Sequence, residues 1–196
     1  MSSALAVREP AHEIWTADPS RTTVEFEVQH LWGLHAVSGS FHSFDGAYVV
    51  GPQGSSIELT IDAASVDTGC PARDRQLRSS DFFGTDEHPQ ARFASTGVIG
   101  LGGGRVRVTG ELEAAGTRVP LAFDAAVRLV DGELEFDATT TVDQGRFGMA
   151  EGPLRNVRRP VTVRVKTRLV RVPSGPDGGS AAVVRGSGLA AARGTV

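Results

Sequence analysis

Residues 119–138 read VPLAFDAAVRLVDGELEFDA, and this stretch decides the fold class. On either side of Asp131-Gly132, apolar side chains occupy alternate positions: Val119, Leu121, Phe123, Ala125 and Val127, then Leu134, Phe136 and Ala138. A period of two places these side chains on one face of a β-strand and their polar neighbours on the other. An Asp-Gly dipeptide between two such runs is typical of a tight hairpin turn. The stretch therefore predicts two antiparallel strands that share an apolar face.

The same alternation extends from about Trp15 to Val172, and turn sequences rich in glycine separate its runs. The clearest further runs are Val24 to Val28, Ile57 to Ile61, Val106 to Val108 and Val161 to Val165. We therefore predict an all-β antiparallel meander of about eight strands. A sheet with one apolar face must cover that face, which favours a closed barrel, with a sandwich as the alternative. A barrel of this size either packs shut or holds one small ligand, and the pattern alone does not decide.

One segment breaks the period of two. Residues 71–80 predict one short helix, because Pro71 suits a first helical turn and Asp74 precedes Arg78 by four residues. Its large apolar residue is Leu77, and the neighbouring Phe82-Phe83 pair is the most hydrophobic spot in any connection. We expect these rings to be covered, at the mouth of the barrel.

The alternation also sets the domain boundaries. We assign residues 13–172 to one barrel domain and expect residues 1–12 to be a flexible N-terminus. Residues 173–196 are rich in Gly, Ala and Ser and contain no aromatic residue. Such a segment buries too little apolar surface to offset its ordering entropy, so we expect a disordered tail.

Charge and cysteine content narrow the class of protein. A formal net charge of -3 provides no field that would gather nucleic acid, so no nucleic-acid partner is expected. The single cysteine, Cys70, cannot form an intramolecular disulfide and gives no sign of an oxidising compartment. The first fifteen residues contain no apolar run of signal-peptide length, and no stretch is long enough to cross a bilayer. We expect a cytoplasmic protein.

One basic patch lies on the last predicted strand and its approach: Arg155, Arg158, Arg159, Arg164, Lys166, Arg168 and Arg171. Such a patch can touch an anionic membrane, where each residue contributes about 1 kcal/mol. We prefer the alternative, a solvated strand face that balances Glu25, Glu27 and other acids on neighbouring strands. At most a transient contact with a membrane surface is expected.

The middle of the chain carries a specific series of motifs. Residues 61–69 read IDAASVDTG, and they are followed by Arg73-Asp74, Asp81-Phe82-Phe83, His88-Pro89 and Phe93. From Trp15 to Leu169 the chain resembles the YceI-like family of bacterial polyisoprenoid-binding, lipocalin-like proteins. Cys70 and Gly84 depart from the family pattern, in which a polar residue and an acid are usual at these positions.

The resemblance implies a lipocalin-like antiparallel β-barrel of about eight strands, with one short helix near residues 71–80. It implies a long apolar pocket for a polyisoprenoid, an isoprenoid quinone or another amphiphile, held for sequestration, storage or transport and without catalysis. No cofactor is implied beyond such a bound lipid. Two alternatives stay open, an enzyme acting on an isoprenoid-type lipid in the same cavity and an interaction protein with a packed barrel. The oligomeric state is also open, with a dimer among the alternatives.

The candidate walls of this apolar channel are aromatic and aliphatic side chains: Phe26, Val28, Phe41, Leu59, Phe82, Phe83, Phe93, Leu121, Phe123 and Phe136. The competing interpretation of inward phenylalanines is ordinary core packing. The candidate head-group contacts are His30, Arg73 and Arg78, because arginine offers a fork of donors that matches phosphate oxygens. For the arginines we favour the alternative of an ion pair, formed with Asp74, that fixes the short helix to the next loop.

The sequence contains no nucleophile elbow, zinc-peptidase, Walker or dinucleotide-binding motif, so no catalytic residues and no enzymatic activity are expected. His30, His35 and His42 are close in sequence. On a continuous strand, however, His35 would lie on the opposite face from the other two, so we expect no metal site. Cys70 lies at the predicted helix start, where the helix dipole favours a thiolate. A lone cysteine without a C-x-x-C partner is more often incidental, and we do not expect it to be reactive.

Overall fold

The computed structural model describes residues 12–29, 36–149 and 160–173. Within these ranges the chain forms eleven β-strands and one α-helix. The strands are β1 Glu13–Ala17, β2 Thr23–Gln29, β3 Ala36–Phe41, β4 Phe44–Gly51, β5 Gly54–Asp62, β6 Val66–Asp67, β7 Gln90–Gly102, β8 Arg105–Ala114, β9 Thr117–Val130, β10 Glu133–Asp143 and β11 Pro160–Arg171. The helix α1 spans Pro71–Arg78 and ends before Ser79, whose backbone is extended.

The strands pair in one antiparallel sheet that closes on itself. The ring runs in the order β1-β4-β5-β7-β8-β9-β10-β11, and β11 returns to β1 through pairs such as Trp15↔Arg171 and Ala17↔Leu169. These eight strands form a closed barrel, which confirms the predicted fold. Of the remaining strands, β2 pairs with β11, β3 pairs with β2, and β6 pairs with β3. They continue the lines of β1, β4 and β5.

Local side-chain bonds explain why two lines of strands are interrupted. The Asp18 carboxylate accepts a hydrogen bond from Ser20 N at 2.9 Å and starts a 3-10 turn, Pro19–Arg21, between β1 and β2. In the same way Asp62 accepts from Ala64 N at 2.9 Å and starts the 3-10 turn Ala63–Ser65 between β5 and β6. An aspartate that bonds the backbone two residues ahead competes with the strand ladder. Each aspartate therefore ends one strand, and a 3-10 turn leads into the next: β1 into β2 at Asp18 and β5 into β6 at Asp62.

The two ends of the barrel differ. One end, here the hairpin end, carries the turns β4–β5, β7–β8 and β9–β10. The β9–β10 turn is the predicted hairpin: Asp131 and Gly132 have φ of +52° and +81°, the left-handed pair that a two-residue turn requires. The opposite end, here the helix end, carries α1 and a 3-10 turn, Gln144–Phe147, that follows β10.

The buried core lies inside the barrel towards the helix end. Its cluster of buried residues is Val24, Ile61, Ala91, Ala114, Val119, Val142, Phe147 and Met149. Phe82 and Phe83 pack against this cluster from the connection after α1, as expected for rings that need cover. The cover at the helix end is therefore apolar and continuous with the barrel walls.

Two further predictions concern the whole chain. Across the described ranges, no helix has the length and apolar character needed to span a membrane. The described domain runs from residue 12 to residue 173, whereas the predicted flexible N-terminus and most of the predicted disordered tail lie outside the described residues. The domain boundaries at 13 and 172 therefore stay predictions.

Candidate ligand-binding cavity

A cavity runs through the interior of the barrel. The cavity volume is about 220 Å³. All the empty space between the walls, including the part that opens to solvent, amounts to about 1550 Å³. β11 provides one complete wall, because its inward positions Val161, Val163, Val165, Thr167 and Leu169 all line the cavity. A fully extended strand turns every second side chain inward, so this strand contributes a stripe along the whole length.

All ten residues predicted as channel walls line this cavity. They are Phe26, Val28, Phe41, Leu59, Phe82, Phe83, Phe93, Leu121, Phe123 and Phe136. The period of two located the eight that lie on strands, because inward parity on a barrel strand means exposure to the interior. Phe82 and Phe83 lie in the connection after α1, where their apolar character was the signal. Contact of these residues with a ligand stays a prediction.

The phenylalanines form two groups in the wall. Phe26 and Phe41, on β2 and β3, have ring centroids 5.5 Å apart, and Phe41 meets Phe83 edge-on at 5.7 Å. This group joins the barrel wall to the connection after α1. Phe93 and Phe123, on β7 and β9, form the second group with centroids 5.4 Å apart. Such pairs stabilise each other beyond their burial alone, which keeps the rings together along the wall.

The helix end of the cavity is covered by a short, well-bonded connection. Leu77, Phe82 and Phe83 line the cavity there, opposite Phe147 and Met149. Backbone bonds hold the connection in place, including Phe83 N to Leu77 O at 3.0 Å and Phe82 N to Ser79 O at 3.0 Å. The Phe82-Phe83 pair therefore lies where a mouth-covering element was expected.

Polar side chains are few in the cavity wall, and three of them, Thr22, Thr167 and Tyr48, are hydrogen-bonded to other protein groups. Thr22 Oγ1 donates to Asp18 O at 2.7 Å and lies 2.6 Å from Thr167 Oγ1. Tyr48 Oη donates to Ser55 Oγ at 3.2 Å. Glu58 is the only charged residue among the described lining residues. An apolar wall with so few free polar groups suits a hydrocarbon chain better than a polar substrate.

Arg78, a candidate head-group contact, is engaged with the backbone. Its Nε donates to Ala64 O and its Nη2 to Val66 O, both at 2.8 Å. Asp74 is 8% exposed and accepts from Thr68 N at 2.9 Å and from Thr68 Oγ1 at 2.7 Å. The expected ion pair between the helix and the next loop is therefore wrong. Arg78 bonds backbone carbonyls and Asp74 bonds Thr68, and all of these partners precede α1. Both side chains fix α1 to the segment before it, because that segment presents unpaired backbone groups and a hydroxyl.

The other two candidate head-group contacts have different outcomes. Arg73 is half-buried on α1, forms no hydrogen bond or ion pair with another described residue, and does not line the cavity. No described residue therefore occupies the Arg73 guanidinium, which lies at the helix end. Contact between Arg73 and a ligand head group stays a prediction. His30 lies outside the described residues, so its predicted contact also stays a prediction.

The ionic groups lie on the outer surface of the barrel. Arg21 bonds both Asp18, at 2.7 Å, and Glu133, at 2.6 Å. Hydrogen bonds from the Ser20 hydroxyl and from Arg21 lower the pKa of Asp18 to about 2. Hydrogen bonding to Arg21 likewise lowers the pKa of Glu133. These pKa shifts come from structural ion pairs at the hairpin end and do not mark a catalytic site.

Three of the four described residues of the basic patch are paired with acids. Arg164 lies 3.4 Å from Glu27, and Arg171 lies 2.6 Å from Glu13. Arg168 bonds Glu135 at 2.7 Å. Arg155, Arg158 and Arg159 lie outside the described residues. At Arg164, Arg168 and Arg171 the outer face of β11 is therefore the balanced strand face that we preferred.

The candidate metal-binding and thiol residues lie only partly within the described ranges. His42 lies 3.2 Å from Asp67, and no group of three or more potential metal ligands occurs among the described residues. His35, like His30, lies outside them. Cys70 occupies the N-cap position of α1, where its side chain makes no capping hydrogen bond.

Sequence reasoning missed several wall residues. Val161, Val163 and Val165 were assigned to a strand but not to the site, although the same parity argument applies to them. Leu77, Phe147 and Met149 line the cavity from outside the regular strands, where no period indicates direction. The Phe147-Gly148-Met149 motif was the one available signal, since two large apolar residues flank a glycine in a connection.

Comparison with known proteins agrees with the geometry. The model of the YceI-like domain family matches residues 15–169. The UPF0312 protein of Ectopseudomonas mendocina is 36% identical over 138 residues, which cover 65% of this chain and 71% of the relative. Protein YceI of Shigella flexneri is 38% identical over 105 residues, covering 52% of this chain, and the match spans about half (54%) of its own length.

Two solved structures share the fold. BcnA of Burkholderia cenocepacia superposes with a TM-score of 0.71 at 22% identity, covering 78% of this chain and 98% of BcnA. A domain from Saccharophagus degradans, described as a polyisoprenoid binding domain, superposes with a TM-score of 0.60 at 19% identity, covering 81% of this chain and 97% of the domain. At these identities the likeness concerns the fold. The family model covers most of the chain, and the chain therefore belongs to the YceI-like family.

Proposed function

We propose that this protein binds one long apolar amphiphile, of the polyisoprenoid or isoprenoid-quinone type, inside its barrel. The bound molecule is sequestered, stored or carried, and it leaves chemically unchanged. The observation that carries the proposal is the cavity itself, whose wall consists mainly of aromatic pairs and valine side chains and contains few polar groups.

The energetics favour a long hydrocarbon over a small polar ligand. Each methylene-sized group moved from water into such a cavity contributes about 0.8 kcal/mol, whereas association costs roughly 4 to 15 kcal/mol. A short tail does not offset that cost, and a chain of several isoprene units does. The description of the Saccharophagus degradans domain as polyisoprenoid binding supports the same ligand class.

The non-catalytic role is supported by the distribution of charge. General acid–base chemistry uses positioned ionisable groups near the substrate, often in pairs with separated pKa values. Among the described lining residues Glu58 alone carries a charge. The groups with shifted pKa values, such as Asp18 and Glu133, lie in outer-surface ion pairs.

Extraction of the purified protein tests the proposal. The protein is prepared without detergent, extracted with organic solvent and analysed by mass spectrometry. We expect a single apolar molecule at close to one per chain, and its loss in a folded Phe123→Arg variant prepared in parallel. A mixture of a lipid and its chemically altered product would favour the enzyme alternative. A clean extract, together with no binding of added prenyl lipid, would favour the packed-barrel interaction protein.

The compartment and the membrane contact also stay proposals. We propose a cytoplasmic location, supported by the presence of a single cysteine, and at most transient contact with a membrane surface. Cell fractionation with an antibody to the chain tests the first. Flotation with anionic vesicles at low and at physiological salt tests the second, since surface electrostatics weaken as salt rises.

A further inference from the structure

Two polar side chains of the cavity wall form no hydrogen bond with another described residue. They belong to Thr140, on β10, and to Gln144, the first residue of the 3-10 turn that follows β10. Both residues are half-buried. The other hydroxyls of the described wall, on Thr22, Thr167 and Tyr48, are bonded to protein groups. Among the described lining residues, Thr140 and Gln144 therefore supply the side-chain donors that a ligand can use.

Both side chains lie on one line of the wall, at the helix end of the barrel. Thr140, Val142 and Gln144 occupy successive inward positions, and all three line the cavity. Asp143 accepts a hydrogen bond from Gly145 N at 3.1 Å and so begins the turn that holds Gln144 at this end. Four residue steps of about 3.3 Å separate Thr140 from Gln144, so their Cα atoms lie at most about 13 Å apart.

The construction of the wall changes beside these two residues. β10 pairs with β9 only as far as Ala138↔Ala125, whereas it pairs with β11 as far as Asp143↔Pro160. Among the described residues, positions 139–143 are therefore paired on the β11 side alone. The 3-10 turn lies against β9 in place of a strand pair. The two donors thus lie where the apolar, strand-paired wall is interrupted.

The chemistry of this region fits an uncharged head group. A threonine hydroxyl and a glutamine amide donate hydrogen bonds to oxygen without carrying a charge. The described lining residues include no Lys, Arg or His, and their one charged member, Glu58, is negative. A phosphate moved into this wall would lose its water without gaining a cation, which is costly, whereas a hydroxyl or a carbonyl needs only a hydrogen-bond partner.

We propose that the helix end of the cavity holds the head group of the bound amphiphile, and that this head group is uncharged and contains oxygen, as in a prenyl alcohol or a quinone. The Thr140 hydroxyl and the Gln144 amide donate hydrogen bonds to its oxygen atoms. The hydrocarbon chain runs from there along the valines of β11 towards the hairpin end. This inference rests on the proposed function and adds to it the orientation of the ligand and the exclusion of phosphate.

Calorimetric titration of the full chain with three compounds of equal chain length tests the inference. The compounds are geranylgeraniol, geranylgeranyl phosphate and the corresponding hydrocarbon without a head group. We expect the alcohol to bind at least about tenfold more tightly than the phosphate. This comparison uses the unaltered chain, so it tests the exclusion of phosphate whether or not any variant folds.

Two variants test the donors themselves. Thr140→Val and Gln144→Leu should each weaken binding of the alcohol about three- to tenfold, because each removes one hydrogen bond and keeps a side chain of similar size. Neither variant should weaken binding of the hydrocarbon, which accepts no hydrogen bond.

Two controls accompany these variants. Thr140→Ser keeps a hydroxyl and should regain most of the affinity that Thr140→Val loses. Thr141→Val makes the same change at the next residue, which is exposed on the outer face of β10, and should leave all three affinities unchanged. Circular dichroism and urea unfolding check that each variant is folded.

Three results would overturn the inference. Equal weakening of alcohol and hydrocarbon binding in Thr140→Val and Gln144→Leu would show that these side chains only pack. Tighter binding of the phosphate than of the alcohol would refute the uncharged head group, and its loss in Arg73→Gln would assign the head group to α1. Failure of all three compounds to bind would overturn the proposed function, and this inference with it.

Discussion

Ligand length is the perturbation that tests the cavity most directly. β11 lines it from Val161 to Leu169. Those eight residue steps, at about 3.3 Å each and inclined by about 40° to the barrel axis, give an axial length of roughly 20 Å. An extended isoprene unit adds four chain bonds of about 1.5 Å, or about 5 Å along its axis. A channel of this length accepts about four units laid lengthwise.

The cavity volume sets a tighter limit. An apolar cavity of about 150 Å³ holds one benzene-sized molecule, so 220 Å³ corresponds to about nine carbon atoms, roughly two isoprene units. The larger space that reaches out through the mouth is about 1550 Å³. Four units therefore need the mouth side chains to move. We give the length more weight, because backbone hydrogen bonds fix the strands whereas half-buried side chains such as Phe82 and Phe83 can rotate.

Calorimetric titration with prenyl alcohols of about two to about six isoprene units measures the dependence. We expect affinity to rise at least tenfold per unit up to about four units, because five buried carbons contribute up to about 4 kcal/mol and 1.4 kcal/mol is tenfold. Longer chains should gain less than about threefold, since their extra units stay in water. A plateau at two units would refute the lengthwise arrangement. Equal affinity across the series would remove the internal channel.

Three further outcomes are expected. Phe123→Arg should weaken prenyl-alcohol binding at least about 100-fold, because an unpaired guanidinium in an apolar cavity costs several kcal/mol, whereas Ala122→Arg on the outer face should bind normally in the same titration. Arg78→Met should lower the free energy of unfolding in urea by roughly 1.5 kcal/mol, because two carbonyls lose a charged donor; unchanged stability would contradict its structural role. The pKa of Asp18 is lowered to about 2, so its contribution to stability is complete above its unfolded pKa near 4 and is lost as pH falls towards 2. Asp18→Asn should flatten that part of the stability–pH curve, and an unaltered curve would show that the hydrogen bonds from Ser20 and Arg21 to this carboxylate contribute nothing.

The walls of the site could be predicted from sequence because direction in a strand follows parity. Val161 and Phe123 lie on different strands, yet each faces the interior for the same reason, its position in an alternating run. The closure of the barrel was expected from the need to cover an apolar face and from the family resemblance, not from any pattern in the strands that close it. It depends on Trp15↔Arg171 and two neighbouring pairs, and partners that far apart in sequence leave no local pattern.

The contacts of single charged side chains could not be predicted in this way. Arg78 bonds two backbone carbonyls, and a carbonyl is present at every residue, so sequence offers no way to choose Ala64 and Val66. The point at which β7 stops pairing with β5, after Glu58↔Ala94, could not be predicted for a related reason. There Ile57 N donates to the Ser95 hydroxyl at 2.8 Å instead of to a backbone carbonyl, and one such side-chain bond leaves no periodic pattern.

Two glycines help to explain why this barrel has space inside it. A Cβ atom on Gly39 would lie 2.6 Å from Cζ of Phe26, and one on Gly110 would lie 2.7 Å from Cζ of Phe93. Each ring therefore occupies room beside the glycine that a side chain would otherwise take. Both rings belong to the aromatic groups that line the cavity. Were either glycine an alanine, the added Cβ would also meet backbone, Asp67 O at Gly39 and Ala94 O at Gly110, so both the ring and the neighbouring strand would have to shift. The apolar cavity thus depends on small residues in the wall as much as on the large residues that line it.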